Sequence, residues 1–251
     1  MAVKVQQVLE ILEQIAPPEL ACSWDNVGLL VDAGRPVTSI MTALDITADV
    51  VRDAAESGCE LIVSHHPVIF DPLRRVTAED VPAMLLQNGI SAICMHTNLD
   101  AAPGGVNDVL ITLLGARADG PLDPDNCGRV GELPEAQQFD SFLRFCKTAL
   151  DSKGLRYYDA GRPVKRLAVM GGSGGDYIGC AAEKGCDTYV TADIKYHQFL
   201  EAKELGINLI DGDHFCTENP VIPSLCEKLR HEFPDVCFTV SARHGQVISF
   251  I

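Results

Sequence analysis

AAESGCELIVSHH (residues 54–66) and AAEKGCDTYVTAD (181–193) are the two stretches whose reading decides the fold. They align at a constant offset of 127, with six of thirteen positions identical. Both run helix end, glycine, cysteine, acid, apolar strand, hydroxyl, and the pairs Glu60/Asp187 and Ser64/Thr191 are conservative. The offset is about half the chain, which points to a duplicated α/β lobe rather than a chance match of Ala-rich helix ends. Where the first stretch ends His65-His66, the second ends Ala192-Asp193. An asymmetric site would therefore draw those imidazoles from the first lobe.

Outward from these stretches, strand-like and helix-like segments alternate. Val5, Val8, Leu9, Leu12 and Ile15 mark one face of a first helix, stopped by Pro17-Pro18. SIMTALDI (39–46), CELIVS (59–64) and ISAICMH (90–96) read as strands, with helices over 48–58, 78–89 and 106–116. Residues 117–134 carry Pro, Gly, Asp and Asn without periodicity and read as a crossing. The rhythm then resumes: a helix near 136–151, a strand at 166–170, a Gly-rich turn, a helix to Gly185, a strand at 187–191, a helix at 195–206, a strand at 207–211, a helix near 219–232 and a closing hairpin from CFTV to the C-terminus. The expectation is an α/β protein of two similar lobes, 1–125 and 126–251, each a mainly parallel sheet flanked by helices.

Of the 251 residues, 47% are apolar and 22% charged, enough for a real core and too apolar for disorder. The net charge of −15 argues against a nucleic-acid backbone or an anionic membrane as the main partner, and suits cations. The ten cysteines form no CxxC pair, so zinc-ribbon and thioredoxin readings fail. Glu10 and Glu13 interrupt the apolar start, which a secretory signal would not tolerate, and no apolar run could span a bilayer. A cytoplasmic protein is expected.

Four of the seven histidines (His65, His66, His96 and His214) fall just past a strand's C-terminal end, the edge where open parallel sheets bind ligands. Adjacent residues on a strand point to opposite faces, so His65 and His66 can share a site only if the strand has ended; one core and one exposed histidine is the plain alternative. Asp100 follows His96 in a loop, and His214 and Glu218 share a helical face if 214–218 is helical. Together His65, His66, Asp100, His214 and Glu218 offer imidazoles and carboxylates suited to Zn, Fe, Mn or Ni. Five ligands exceed the needs of one catalytic ion and fit two divalent ions bridged by Glu218 or Asp100, which makes hydrolysis by a metal-activated water the default chemistry.

SWDNVGLLV (23–31), IVSHHPVIF (62–70), HTNLDAAPGGVND (96–108), TADIKYHQFLEAKELGINLIDGDHF (191–215) and Thr217-Glu218 together resemble the Nif-three-like family of dinuclear metal proteins. Its bacterial members are usually named GTP cyclohydrolase I type two homologues. The resemblance covers almost the whole chain in order. It implies the same five ligands, two α/β lobes, and a ring-shaped homohexamer with its metals facing an inner cavity. Two positions depart from the family pattern: Asp213 and Ala192 stand where glycine is usual.

Further residues carry weaker signals. Lys195 could bind a phosphate and His197 shuttle a proton, or both could be a solvated helix start. GGSGG (171–175) could cradle a phosphate but lacks GxGxxG spacing; it is equally the counterpart of the Asp45-Ile46-Thr47 turn. Trp24 is either packed on the core or a wall facing substrate. Two functions compete: a metal-dependent hydrolase of a small molecule, with a nucleotide or related heterocycle as substrate and GTP ring opening as the version the family name suggests; and a non-catalytic metal-binding regulator or interaction protein.

Overall fold

The helices and strands follow each other as α1 (Val5–Ile15), β1 (Gly28–Val31), β2 (Ser39–Ala43), α2 (Ala48–Glu56), β3 (Leu61–Ser64), α3 (Val81–Asn88), β4 (Ser91–Cys94), α4 (Thr97–Ala101) and α5 (Val106–Leu113). There follow β5 (Arg117–Pro121), β6 (Arg129–Gln137), α6 (Phe139–Ala149), β7 (Arg156–Tyr158), β8 (Val164–Val169), α7 (Ile178–Glu183), β9 (Thr188–Thr191), α8 (Tyr196–Leu205), β10 (Asn208–Asp211), α9 (His214–Glu218), α10 (Val221–Glu232) and β11 (Cys237–Val240). The structure, a computed structural model, describes residues 2–251.

Two units divide these elements. One holds the chain up to Ala102 and takes up Ile222–Gly245; the other holds Pro103–Val221 and Gln246–Ile251. In the first, the strand order is β1-β4-β3-β2-β11, with β2, β3, β4 and β11 parallel and β1 antiparallel on the edge. Every residue of β3 and β4 is buried, as strands covered on both faces must be. Thr47 caps α2 by accepting the Val50 amide, and Gly89 ends α3 in the left-handed region that favours glycine. Ile40, Leu61, Ile62 and Ile93 are fully enclosed.

In the second unit the order is β5-β6-β8-β9-β10-β7. Here β8, β9 and β10 are parallel and β7 is antiparallel on β10. The run β7-β10-β9-β8 repeats β1-β4-β3-β2 in order and direction. The offset of 127 carries β3 onto β9 residue for residue, whereas β4 reaches β10 at 117. The stretch between β3 and β4 is thus longer by ten residues than its counterpart. Tyr189 on β9 is wholly buried, and its hydroxyl donates to the Gly174 carbonyl at 2.8 Å.

Three expectations change. The division differs from the expected line at 125/126, because β11 adds parallel to β2 and returns the late chain to the first sheet. The closing hairpin does not form: β11 is the last strand among the described residues. Residues 117–134 are largely the antiparallel pair β5-β6, hidden from pattern reading by Gly131 and by Pro134 at a register shift.

Gly131 lies where a Cβ would run into the Arg117 carbonyl on β5. Gly120 has only ordinary contact, 3.9 Å to Val130 Cγ2. Gly131→Ala should lower stability by about 1–3 kcal/mol, the usual cost of overpacking, while Gly120→Ala stays within about 1 kcal/mol. Urea unfolding of the two variants measures the contrast.

Candidate metal centre

In the first unit β3 ends at Ser64, and the two residues that follow leave regular strand geometry: the Ser64 hydroxyl donates to the His66 carbonyl at 2.8 Å. The rings of His65 and His66 consequently lie 5.1 Å apart rather than on opposite faces. His96, just past β4, sits 5.2 Å from His65 and 5.7 Å from His66 between ring centroids. One ring nitrogen from each of the three lies within 4.8 Å of the others. Asp100, in the first turn of α4, brings Oδ1 to 3.7 Å from His65 Nε2.

An oxygen stands against the Nδ1 of each ring. His65 Nδ1 is 2.9 Å from the Met95 carbonyl, His66 Nδ1 2.7 Å from Asp45 Oδ1, and His96 Nδ1 2.8 Å from Asp25 Oδ1. A carbonyl or carboxylate there requires Nδ1–H as donor, so the neutral ring carries its lone pair on Nε2. The Asp25 side chain is fully buried. Burial alone would raise its pKa, but hydrogen bonds from His96 and Thr97 prevail and hold it well below the usual carboxylate range.

In the second unit His214 and Glu218 stand four apart on α9, with Nε2 and Oε2 3.1 Å from each other. Asp193 Oδ2 lies 2.7 Å from His214 Nδ1. The Gly-rich turn gives this pair room: a Cβ on Gly172, whose φ is +64°, would strike Glu218 Oε1 and stand 3.1 Å from His214 Nε2. Burial works against a charge on His214, yet Glu218 and then Asp193 outweigh it and raise its pKa to about 9.

These donors fit divalent ions. Bonds of about 2.0–2.2 Å to one ion place neighbouring donor atoms roughly 3–3.5 Å apart, close to the 3.1 and 3.7 Å separations of the two His–carboxylate pairs. The oxygens on Nδ1 are the outer partners that metal-bound imidazoles require. No thiolate takes part in these clusters.

Of the two positions where the sequence departs from the expected glycine, Asp213 has a local explanation. Asp213 has a φ of +76°, where glycine is favoured, and its side chain accepts the Cys216 amide to cap α9. Ala192 is fully buried. Lys195 and His197 lie exposed at the start of α8, where the Lys195 amide donates to Gln198 Oε1 at 2.8 Å. Sequence reasoning left out His96 as a ligand candidate, and with it Asp25, Asp45 and Asp193 as ring holders. The usable signal was position: His96, Asp45 and Asp193 follow strand ends as the expected ligands do.

A family profile described as Duf34/NIF3 (NGG1p interacting factor 3) matches residues 3–246. The GTP cyclohydrolase 1 type 2 homolog of Clostridium perfringens is 36% identical over 261 residues, spanning 99% of this chain and all of that protein. The GTP cyclohydrolase 1 type 2 of Helicobacter pylori is 35% identical, over 85% of this chain and 86% of its own length. In three dimensions the chain is similar to a Bacillus cereus protein related to NIF3, with a TM-score of 0.92 at 23% identity over 100% of this chain and 99% of that one; this likeness speaks for the fold. Among the described residues no helix is long and apolar enough to cross a membrane.

Two outcomes follow from the second unit. The pKa of His214 is raised above its unfolded value near 6.5, so in the metal-free chain its contribution is complete below about 6.5 and is lost as pH rises through about 9. The urea midpoint of the metal-free protein, less that of His214→Gln, should therefore shrink from pH 6.5 to 9.5; a constant difference contradicts the assignment. Gly172→Ala should displace Glu218 and lower metal content by elemental analysis, with far-ultraviolet dichroism unchanged.

Proposed function

Because the chain belongs to the Duf34/NIF3 family, we propose that it is a metal-dependent hydrolase of a nucleotide or related heterocycle, with His65, His66, Asp100, His214 and Glu218 as ligands for two divalent ions per chain. The observation that supports this reading is the oxygen set against Nδ1 of His65, His66 and His214, which favours Nε2 as the atom each ring would offer a metal. Such ions, when bound, supply a hydroxide near neutral pH and polarise the bond to be cut.

The chain's own residues do the rest. Asp45 and Asp193 fix ring orientation and raise the basicity of the coordinating nitrogens. His214 must give up a proton before it can coordinate, so metal uptake at neutral pH releases protons. Lys195, exposed at the head of α8, attracts an anionic group of the substrate, and His197, one residue into the same helix, exchanges protons with the departing product. The name of the Helicobacter pylori relative makes GTP the first substrate to try. The family resemblance carries a homohexameric ring to this chain, which light scattering measures.

The test combines elemental analysis with a substrate panel of GTP and generic phosphodiesters, assayed with added Mn or Zn. His65→Ala and Glu218→Ala should each lose at least one ion per chain and all turnover. The double variant at Lys195 and His197 should keep its metal and lose turnover at least tenfold. Full metal retention in the first two variants refutes the ligand set. Tight metal binding without turnover across the panel favours the non-catalytic reading.

A further inference from the structure

Trp24 is the chain's only tryptophan and is 61% exposed, yet it stands on a turn tied by several hydrogen bonds. The Asp25 amide donates to the Cys22 carbonyl at 2.9 Å, and the Cys22 amide donates to Thr97 Oγ1 at 2.9 Å. The buried Asp25 carboxylate accepts from the Thr97 amide at 3.0 Å and from the Thr97 hydroxyl at 2.5 Å. Asn26 Nδ2 donates to the Ile69 carbonyl at 2.6 Å, which ties this turn to the segment that carries Phe70.

Phe70 is itself 50% exposed, and its ring centroid lies 5.9 Å from that of Trp24 at an interplanar angle of 56°. Both rings stand nearly perpendicular to the His96 ring, Trp24 at 6.3 Å and 77°, Phe70 at 6.2 Å and 82°. His96 in turn belongs to the cluster with His65 and His66. Single exposed apolar side chains need no explanation, but two adjoining aromatic rings on a stiff base, beside a convergent polar cluster, have the make-up of a ligand site. Phe70 lies in the stretch between β3 and β4 that has ten residues more than its β9–β10 counterpart.

We propose that Trp24 and Phe70 form a platform that takes the flat face of a heterocyclic ring, a purine base or a ring of similar size, beside the imidazole trio. This rests on the hydrolase reading above and assigns the residues that recognise its substrate. Aromatic faces bind bases by stacking, with little regard to edge substituents. The hydrogen bonds of Asp25 and Asn26 fix the backbone under both rings before the ligand arrives, which lowers the ordering entropy that binding must cost.

The lone tryptophan makes the test direct. The metal-loaded full-length protein is titrated with guanosine, and with ribose as control, while Trp24 fluorescence is followed. Saturable quenching by guanosine and none by ribose is expected. Phe70→Ala keeps the reporter and should weaken guanosine about tenfold, the scale of one lost stacking partner, with metal content unchanged. Trp24→Ala, followed by calorimetry, should weaken it at least as much. Absence of saturable quenching, or wild-type affinity in both variants, overturns the platform. So does a change of assembly mass in Trp24→Ala without any effect of guanosine, which would make the rings a contact between copies. Metal bound without quenching sinks the platform alone, whereas quenching in a chain that takes up no metal sinks the hydrolase reading and leaves the platform standing.

Discussion

An oxygen facing the Nδ1 of an imidazole is the interaction on which the functional geometry depends. It holds His65, His66, His96 and His214, with the Met95 carbonyl, Asp45, Asp25 and Asp193 as acceptors. Each contact selects a tautomer and sets the direction of the remaining lone pair. Without it a histidine at a strand end is a half-buried polar group with several rotamers. With it the ring becomes a fixed donor, and the cost of ordering the side chain is met before any ligand binds.

These holders need no special loops, because the sheets already place them. In each unit the parallel strands end on one edge, and the residues just beyond β2, β3, β4 and β9 include Asp45, His65, His66, His96 and Asp193. The duplication offers the same strand ends twice, and the two units use them differently. Asp45, which holds a ring in one unit, corresponds to Gly172 in the other, where the missing side chain makes space for Glu218. The same backbone position thus serves once as a hydrogen-bond acceptor and once as an opening.

Much of this was legible in the amino-acid order, for physical reasons. Parallel strands covered on both faces must be apolar runs, so β2, β3, β4, β8, β9 and β10 stood out. Edge strands are not under that constraint: β1 is only partly buried, β5 is mostly exposed and β7 has three residues, while β6, inside its sheet, carries Gly131 and Pro134. The strand-end histidines could be found one at a time because each adjoins a strand. Asp45 and Asp193 adjoin strand ends in the same way, but Asp25 reaches His96 across 71 positions of sequence, a pairing that only tertiary structure creates. Trp24 was ambiguous for a similar reason, since its neighbours' bonds to Thr97 and Ile69 decide that the ring stays in water.

The parallel pairing of β11 with β2 bears on how the protein is made. Strand β2 is complete in the growing chain at residue 43, but its outer neighbour is added only with Cys237–Val240. For most of translation the nascent first sheet therefore presents a bare, apolar strand edge, the kind of surface that recruits other chains. The second unit, contiguous from Pro103 to Val221, has nearly all of its residues outside the exit tunnel earlier, so the later-encoded unit is the one able to mature first.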